Sequence, residues 1–225
     1  MSDPVLSGEK VKKAYSDPTW WYDIRGFFIV HLTYRTTLFP QIKFFEEHLS
    51  ANHLEIAVGS GSLLRIILFF RRLRRKPVSN IIGIDYVGTM AESAKDKFKR
   101  FKNVTIEQGD ASHLRFADNT FDSIGIANAF HCFAKPQESL KEIYRVLRPN
   151  GVLAVNVLLH PRDSSLANKI SAAVNAWGQK KGILYRAYDA DEVRDMFKAQ
   201  GFTIAQDTMM GNMVNILAVK SQKAV

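Results

Sequence analysis

Three carboxylates, a glycine-spaced turn and one histidine carry the chemistry that the amino-acid sequence makes available. The turn is "HLEIAVGSGSLL", His53 to Leu64, where a run favouring a buried strand passes through Ala57, Gly59 and Gly61 into an apolar, helical pattern. Glycines between a strand and a helix let a ligand approach the backbone closely. A triphosphate-binding loop requires Gly-Lys-Ser/Thr, but Ser62 and Leu63 follow Gly61 here. A dinucleotide fingerprint, as in a nicotinamide-dependent oxidoreductase, requires a third glycine where this chain has Leu64. Glu55, Asp85 and Asp110 stand at or near the carboxyl ends of three successive strand patterns. Three such groups repel a polyphosphate and suit a cationic ligand that offers hydroxyls and an exocyclic amine. Asp85 is placed to accept both hydroxyls of a ribose. Asp110, followed by Ala111 and Ser112, is placed to accept from an adenine amine. His131 lies just past a fourth strand, three residues after Asn128. An imidazole with an ordinary pKa of about 6.5 takes a proton at neutral pH, so His131 reads as a general base or as a structural histidine of a pocket wall.

The elements that must position these groups follow from periodicity. Strand patterns at Leu54–Val58, Asn80–Asp85, Val104–Asp110 and Phe121–Asn128 alternate with helical ones at Ser62–Arg74, "TMAESAKDKFKRF" and "PQESLKEIYRVL". "RPNG", Arg148 to Gly151, reads as a turn before the strand "VLAVNVLL". Helices follow at Ser164–Lys180 and in "DADEVRDMFKAQG", the latter capped by Gly201. Two last strands join through Gly211 and Asn212. The expectation is an α/β fold: a doubly wound, mostly parallel seven-stranded sheet, Rossmann-like, with an antiparallel C-terminal hairpin and an N-terminal helical cap. One domain covers the chain, with residues 1–50 as an aromatic-rich cap, 51–160 as the ligand-binding core and 161–225 as the remaining helices and hairpin.

With 225 residues there is material for one such domain and a substantial core. No apolar run approaches the roughly 18 residues of a membrane span, and the N-terminus lacks the layout of a secretory signal. Cys132 is the only cysteine, so no intramolecular disulfide forms, and the expected location is the cytoplasm. Cys132 itself reads as a packed small residue. The histidines show no zinc-ligand spacing, so no metal is expected. The net charge of +9 favours an anionic partner, and much of it sits in "RRLRRK", Arg71 to Lys76. That cluster reads as a solvated helix end, as a peripheral membrane contact next to "LLRIILFF", or as a nucleic-acid contact.

The residues quoted above resemble the class I S-adenosylmethionine-dependent methyltransferases, in their type-11, ubiquinone/menaquinone-methyltransferase-like branch. "LEIAVGSGS" is similar to the first motif of that family, "GIDYVGTM" to the second, and "GDASHLRFADNTFDSI" to the third and the start of the fourth. "NAFHCFAKPQESLKEIYRVLRPNGVLAVN" resembles the strand-helix-strand that follows. Ala57 replaces the usual first glycine and Glu55 the usual aspartate, and both changes conserve enough to be tolerated. The resemblance implies S-adenosylmethionine as cofactor, leaving as S-adenosylhomocysteine. It implies cofactor contacts from Tyr22, Glu55, Ala57, Gly59, Gly61, Asp85, Tyr86, Met90, Asp110, Ala111, Ser112 and Asn128. It places His131 at the mouth of the acceptor pocket, with His160 as a second candidate base and Trp21, His160, Tyr185 and Tyr188 as acceptor-lining residues. The aromatic-rich N-terminal cap suggests that the acceptor is a small apolar or aromatic molecule, methylated on carbon or oxygen. No Asn-Pro-Pro-Tyr-like motif follows the fourth strand and no nucleic-acid-binding module is appended, which argues against nucleic acid as substrate. A catalytically inactive cofactor-binding scaffold and an RNA methyltransferase remain as alternatives, and the protein is expected as a monomer or homodimer.

Overall fold

The computed structural model describes residues 31–221 together with Gly26 and Ile29, so Trp21 and Tyr22 lie outside the described residues. A leading helix α1 (Leu38–His48) precedes β1 (Asn52–Ile56), α2 (Ser62–Leu73), β2 (Asn80–Asp85), α3 (Gly88–Phe98) and β3 (Val104–Gln108). Then come β4 (Phe121–Ile126), a short 3-10 turn (Phe130–Cys132), α4 (Pro136–Val146), β5 (Leu147–Leu158), α5 (Leu166–Lys181), α6 (Ala190–Ala199), β6 (Phe202–Met210) and β7 (Met213–Lys220).

The seven strands form one sheet in the order β3-β2-β1-β4-β5-β7-β6. β1 to β5 are parallel, while β7 runs antiparallel to both β5 and β6. The order reverses between β1 and β4, which is where open α/β sheets place their ligands. Their near-continuous apolar runs suit strands buried on both faces. One apolar cluster joins Phe45, Leu64, Ile67, Ala94 and Phe98 of α1, α2 and α3; another joins Leu140, Ile143, Val193 and Phe197 of α4 and α6 to Ile124, Val155 and Ile216. Helices therefore cover the sheet from two sides, as the doubly wound pattern requires.

The boundaries that moved did so for identifiable reasons. β3 stops at Gln108, short of Asp110, because the Asp110 carboxylate turns back to accept from the backbone N and hydroxyl of Ser112, both at 2.8 Å. β5 starts at Leu147, before "RPNG": Leu147 already pairs with Phe121, the chain bulges outward with Asn150 at φ 63°, and pairing resumes at Val152 opposite Ser123. The expected turn is thus a bulge inside a strand. Gly201 follows α6 at φ 99°, the left-handed position that ends a helix.

Candidate active site

The glycine turn leaves β1 in a conformation that few residues accept. Ala57, Gly59 and Gly61 all have positive φ, at 58°, 57° and 79°. Glycine adopts this region freely, whereas alanine pays about 1 kcal/mol for it. Ala57 is therefore a strained substitute for the glycine that the backbone wants. At Gly61 a Cβ would stand 2.9 Å from Phe98 Cε2 and 3.2 Å from Ala94 Cβ, so this glycine lets α2 settle on α3. The second glycine serves helix packing as well as any ligand.

Asp85 holds the turn from beneath. One oxygen accepts from Gly59 N at 2.8 Å and the other from Val87 N at 2.9 Å, and burial still pushes its carboxyl up to about 6. Two lone pairs remain for donated hydroxyls.

A cavity of about 310 Å³ opens beside the turn. Its wall takes Glu55, Ala57 and Gly59 from β1 and the turn, Asn128 and His131 from the segment after β4, and Tyr34 from the leading segment. Ile29, Leu38, Ile66, Trp177 and Leu184 supply much of its apolar surface. Asn128 has φ 56° and is pinned by two other amides: its N–H donates to Asn156 Oδ1 at 2.5 Å, and its Nδ2 donates to Gln41 Oε1 at 3.0 Å.

His131 is buried at the cavity wall, and its partners fit the structural alternative better than the general base. Its Nδ1 accepts from Leu158 N–H at 3.3 Å, so in the neutral ring the proton sits on Nε2, which donates to Tyr34 Oη at 2.8 Å. Burial pushes its pKa down to about 3. A nitrogen already accepting from the backbone has no lone pair to spare for a substrate proton. In this geometry His131 orients the Tyr34 phenol.

The remaining expected residues divide. Asp110 is exposed, Ser112 is buried against it, and Ala111 packs beside the main core, all three beyond the end of β3. Tyr86 is exposed after β2, and Met90 is buried in the first turn of α3. None of these lines the cavity; they extend the same strand-end rim from β1 to β3, linked through Gly109 N donating to Asp85 O at 3.0 Å. His160 is exposed and Tyr185 half-buried, and neither reaches the cavity wall. Tyr188 is wholly buried, 5.9 Å from the Phe130 ring and 4.1 Å below the Arg186 guanidinium, so it is a core residue and not an acceptor-facing one. Cys132 is half-buried and borders the cavity. Residues that sequence reasoning missed are Tyr34, Gln41, Asn156, Asn175 and Trp177. Only the helical spacing of Val174, Trp177 and Gly178 offered a signal for any of them.

The basic cluster is partly spent inside the fold. Arg71 is buried and donates to Glu46 O, Pro77 O and Ser79 Oγ, while Arg74 pairs with the Glu46 carboxylate at 2.7 Å. Arg72, Arg75 and Lys76 remain exposed. Among the described residues no group of three or more His, Cys, Asp or Glu is placed to hold a metal, and no helix is long and apolar enough to cross a membrane.

Acceptor-only carboxylates along three strand ends, a turn without a phosphate cradle and an apolar cavity beside it define an α/β protein that binds a cationic nucleoside-type cofactor. They fit S-adenosylmethionine, which offers an ammonium, a sulfonium, two ribose hydroxyls and an adenine amine. A family profile described as a methyltransferase domain matches residues 54–155. A demethylmenaquinone methyltransferase of Thermotoga maritima is 29% identical over 179 residues, covering 72% of this chain and 75% of that protein. A ubiquinone/menaquinone biosynthesis C-methyltransferase of Blochmanniella floridana is 33% identical over 131 residues, 57% of this chain and 49% of that one. A crystal structure of a T. maritima S-adenosylmethionine-dependent methyltransferase, described as a possible histamine N-methyltransferase, shares the fold with a TM-score of 0.66 at 19% identity, over 95% of this chain and 99% of that one. Together these matches and the fold support a class I S-adenosylmethionine-dependent methyltransferase, similar to the branch that holds the ubiquinone/menaquinone methyltransferases.

Proposed function

We propose that the protein methylates a small, apolar aromatic molecule of the quinol type, on carbon or oxygen, inside the cavity between β1, β4 and α5. The observation that carries this reading is the wall itself: Ile29, Leu38, Ile66, Trp177 and Leu184 face a space that joins the glycine turn directly. The names of the two relatives above point the same way. The cofactor supplies an already activated methyl group, so the chain's part is to orient the acceptor and exclude water. Glu55 at the cavity wall takes the cationic end of the cofactor, Asp85 the ribose and Asp110 the adenine amine. Tyr34, its phenol accepting from neutral His131, faces the acceptor's oxygen.

The experiment is methyl transfer from isotopically labelled S-adenosylmethionine to a panel of naphthoquinols, catechols, primary amines and RNA, read by mass. Transfer to the quinols and catechols is expected. Methylation of amines or RNA alone would refute the acceptor reading, and cofactor binding without transfer to any of them would favour the scaffold alternative.

A second reading concerns how such an acceptor arrives. Ile66, Phe69 and Leu73 leave 38%, 63% and 67% of their surface exposed on one face of α2, next to Arg72, Arg75 and Lys76. Ile66 also lines the cavity. We infer that this helix lies on an anionic bilayer surface and lets a lipid-tailed acceptor enter beside it. Co-sedimentation with phosphatidylglycerol vesicles but not phosphatidylcholine vesicles, reduced by salt and by F69S/L73S, is the expected result; equal recovery with both would refute it.

A further inference from the structure

Behind the cavity wall a chain of four polar groups runs through what is otherwise apolar sheet. Glu55 Oε2 accepts from His53 Nε2 at 3.0 Å, His53 Nδ1 meets Ser123 Oγ at 2.8 Å, and Ser123 Oγ accepts from Ser50 N at 2.8 Å. His53, Glu55 and Ser123 are all buried. His53 and Glu55 are two residues apart on β1 and so share a face; in register with them on β4 stand Ser123 and Gly125. A Cβ at Gly125 would collide with Glu55 Oε2 and come within 3.1 Å of His53 Nε2.

The proton positions follow from the partners. The Glu55 carboxylate only accepts, so the proton between the two side chains sits on His53 Nε2; Nδ1 then accepts from the Ser123 hydroxyl, whose oxygen takes the Ser50 N–H. Every donor then has an acceptor. Among the described residues no other group hydrogen-bonds the Glu55 carboxylate, and its residue borders the cavity while His53 and Ser123 do not. A glutamate has one more rotatable bond than an aspartate, and this arrangement removes that freedom.

We propose that His53 and Ser123 are positioning residues of the cofactor site. They hold the Glu55 carboxylate so that its free oxygen meets the ammonium of the cofactor's amino-acid arm, and Gly125 leaves the room that this requires. The inference rests on the cofactor assignment of Glu55 made above. It explains as one set four residues, His53, Glu55, Ser123 and Gly125, that a buried parallel strand pair would otherwise fill with apolar side chains.

The test is calorimetric titration of S-adenosylhomocysteine and of 5′-methylthioadenosine, which keeps the adenine, ribose and thioether but lacks the amino-acid arm. His53→Leu is expected to weaken S-adenosylhomocysteine about tenfold, the scale of one lost charge-assisted hydrogen bond, and to leave methylthioadenosine within about twofold. His53→Gln, which keeps a donor, restores most of the loss. In a Glu55→Gln background, His53→Leu adds nothing further. Gly125→Ala keeps the His53 side chain but crowds both the carboxylate and the imidazole, and is expected to produce the same ligand-selective loss, so the proposal stays testable if His53→Leu does not fold. Equal loss of both ligands, or no loss of either, would overturn the proposal. Wild-type protein that bound methylthioadenosine as tightly as S-adenosylhomocysteine would refute the Glu55 assignment, and binding of neither would refute the cofactor reading itself.

Discussion

Between β5 and β7 the ladder runs unbroken from Val152 opposite Val219 to Leu158 opposite Met213, interrupted in its apolar character by Asn156 opposite Asn215. Between β1 and β4 it lasts three pairs, of which two join His53 to Ser123 and Glu55 to Gly125. Val155, Val157, Val214, Ile216 and Ala218 are wholly buried in the first region. The second passes at once into Ala57 and Asn128, both at left-handed φ, and into Asp85, whose carboxyl is held near 6 by burial. Regular pairing and apolar burial stabilise the one, while the other holds strain and buried polar groups that the first must offset. Even Asn156 fits this division, because its side chain reaches across to Asn128. The stable half carries the site half.

Truncating the stable half has the largest expected effect. Ile216→Ala is expected to lower unfolding free energy by about 3 kcal/mol in urea titration. Affinity for S-adenosylhomocysteine in the folded fraction should stay unchanged; a comparable loss of affinity would show that the two halves are not separable. Asp85→Asn reverses the pattern. Its amide turns a donor toward one of the two backbone N–H groups, so S-adenosylhomocysteine binding should fall at least about tenfold by calorimetry, with a smaller stability change.

The charge on Asp85 sharpens the contrast through pH. Its folded pKa of about 6 lies above an ordinary carboxyl at about 4, so the native state holds a proton that the unfolded chain has lost. Its contribution to stability is full below pH of about 4 and is lost as pH rises through about 6. Cofactor affinity runs the opposite way, because ribose hydroxyls donate to the carboxylate form, and should decline as pH falls below about 6. A flat affinity profile in the wild type, or a sloping one in Asp85→Asn, would sink this account.

Two smaller effects complete the series. Ala57→Gly removes a left-handed alanine and should stabilise the protein by up to about 1 kcal/mol, after allowing for the freer unfolded chain. A loss of stability would mean that the turn is not strained at that position. His131, with its pKa near 3, should leave no limb in the turnover profile between pH about 5.5 and 7.5. Its depressed pKa acts on stability instead: the unfolded chain takes up the proton first, so stability falls as pH drops from about 6.5 toward about 3, and His131→Gln should flatten that fall.

Much of this arrangement was legible in the chain. Continuous apolar runs at β1, β2 and β4, helical spacing in α4 and α6, and Gly201 after the last helix placed the elements to within a few residues, because burial on both faces and left-handed caps leave local marks. The rim of Glu55, Asp85 and Asp110 was readable for the same reason: strand ends are local features, and the parallel topology brings them to one edge. Tyr34, Gln41 and Asn156 carried no such mark, since each acts through a partner more than 25 residues away. Tyr188 looked like a loop residue and is core, because the pairing of Leu159 with Tyr188 draws that loop under the sheet.

By itself, then, the sequence determined the class of fold, the sheet edge on which the carboxylates gather and the acceptor-only character of that edge. Those properties depend on residue type and on spacings of a few residues. Only the tertiary structure decided the state of individual groups. The backbone N–H of Leu158 sets the tautomer of His131, Glu46 and Ser79 take Arg71 out of the basic surface, and the absent side chain of Gly125 makes room for Glu55 on His53. A proton's place and a charge's exposure are fixed by what stands within about 3 Å of the atom, and that distance is spanned by parts of the chain far apart in sequence.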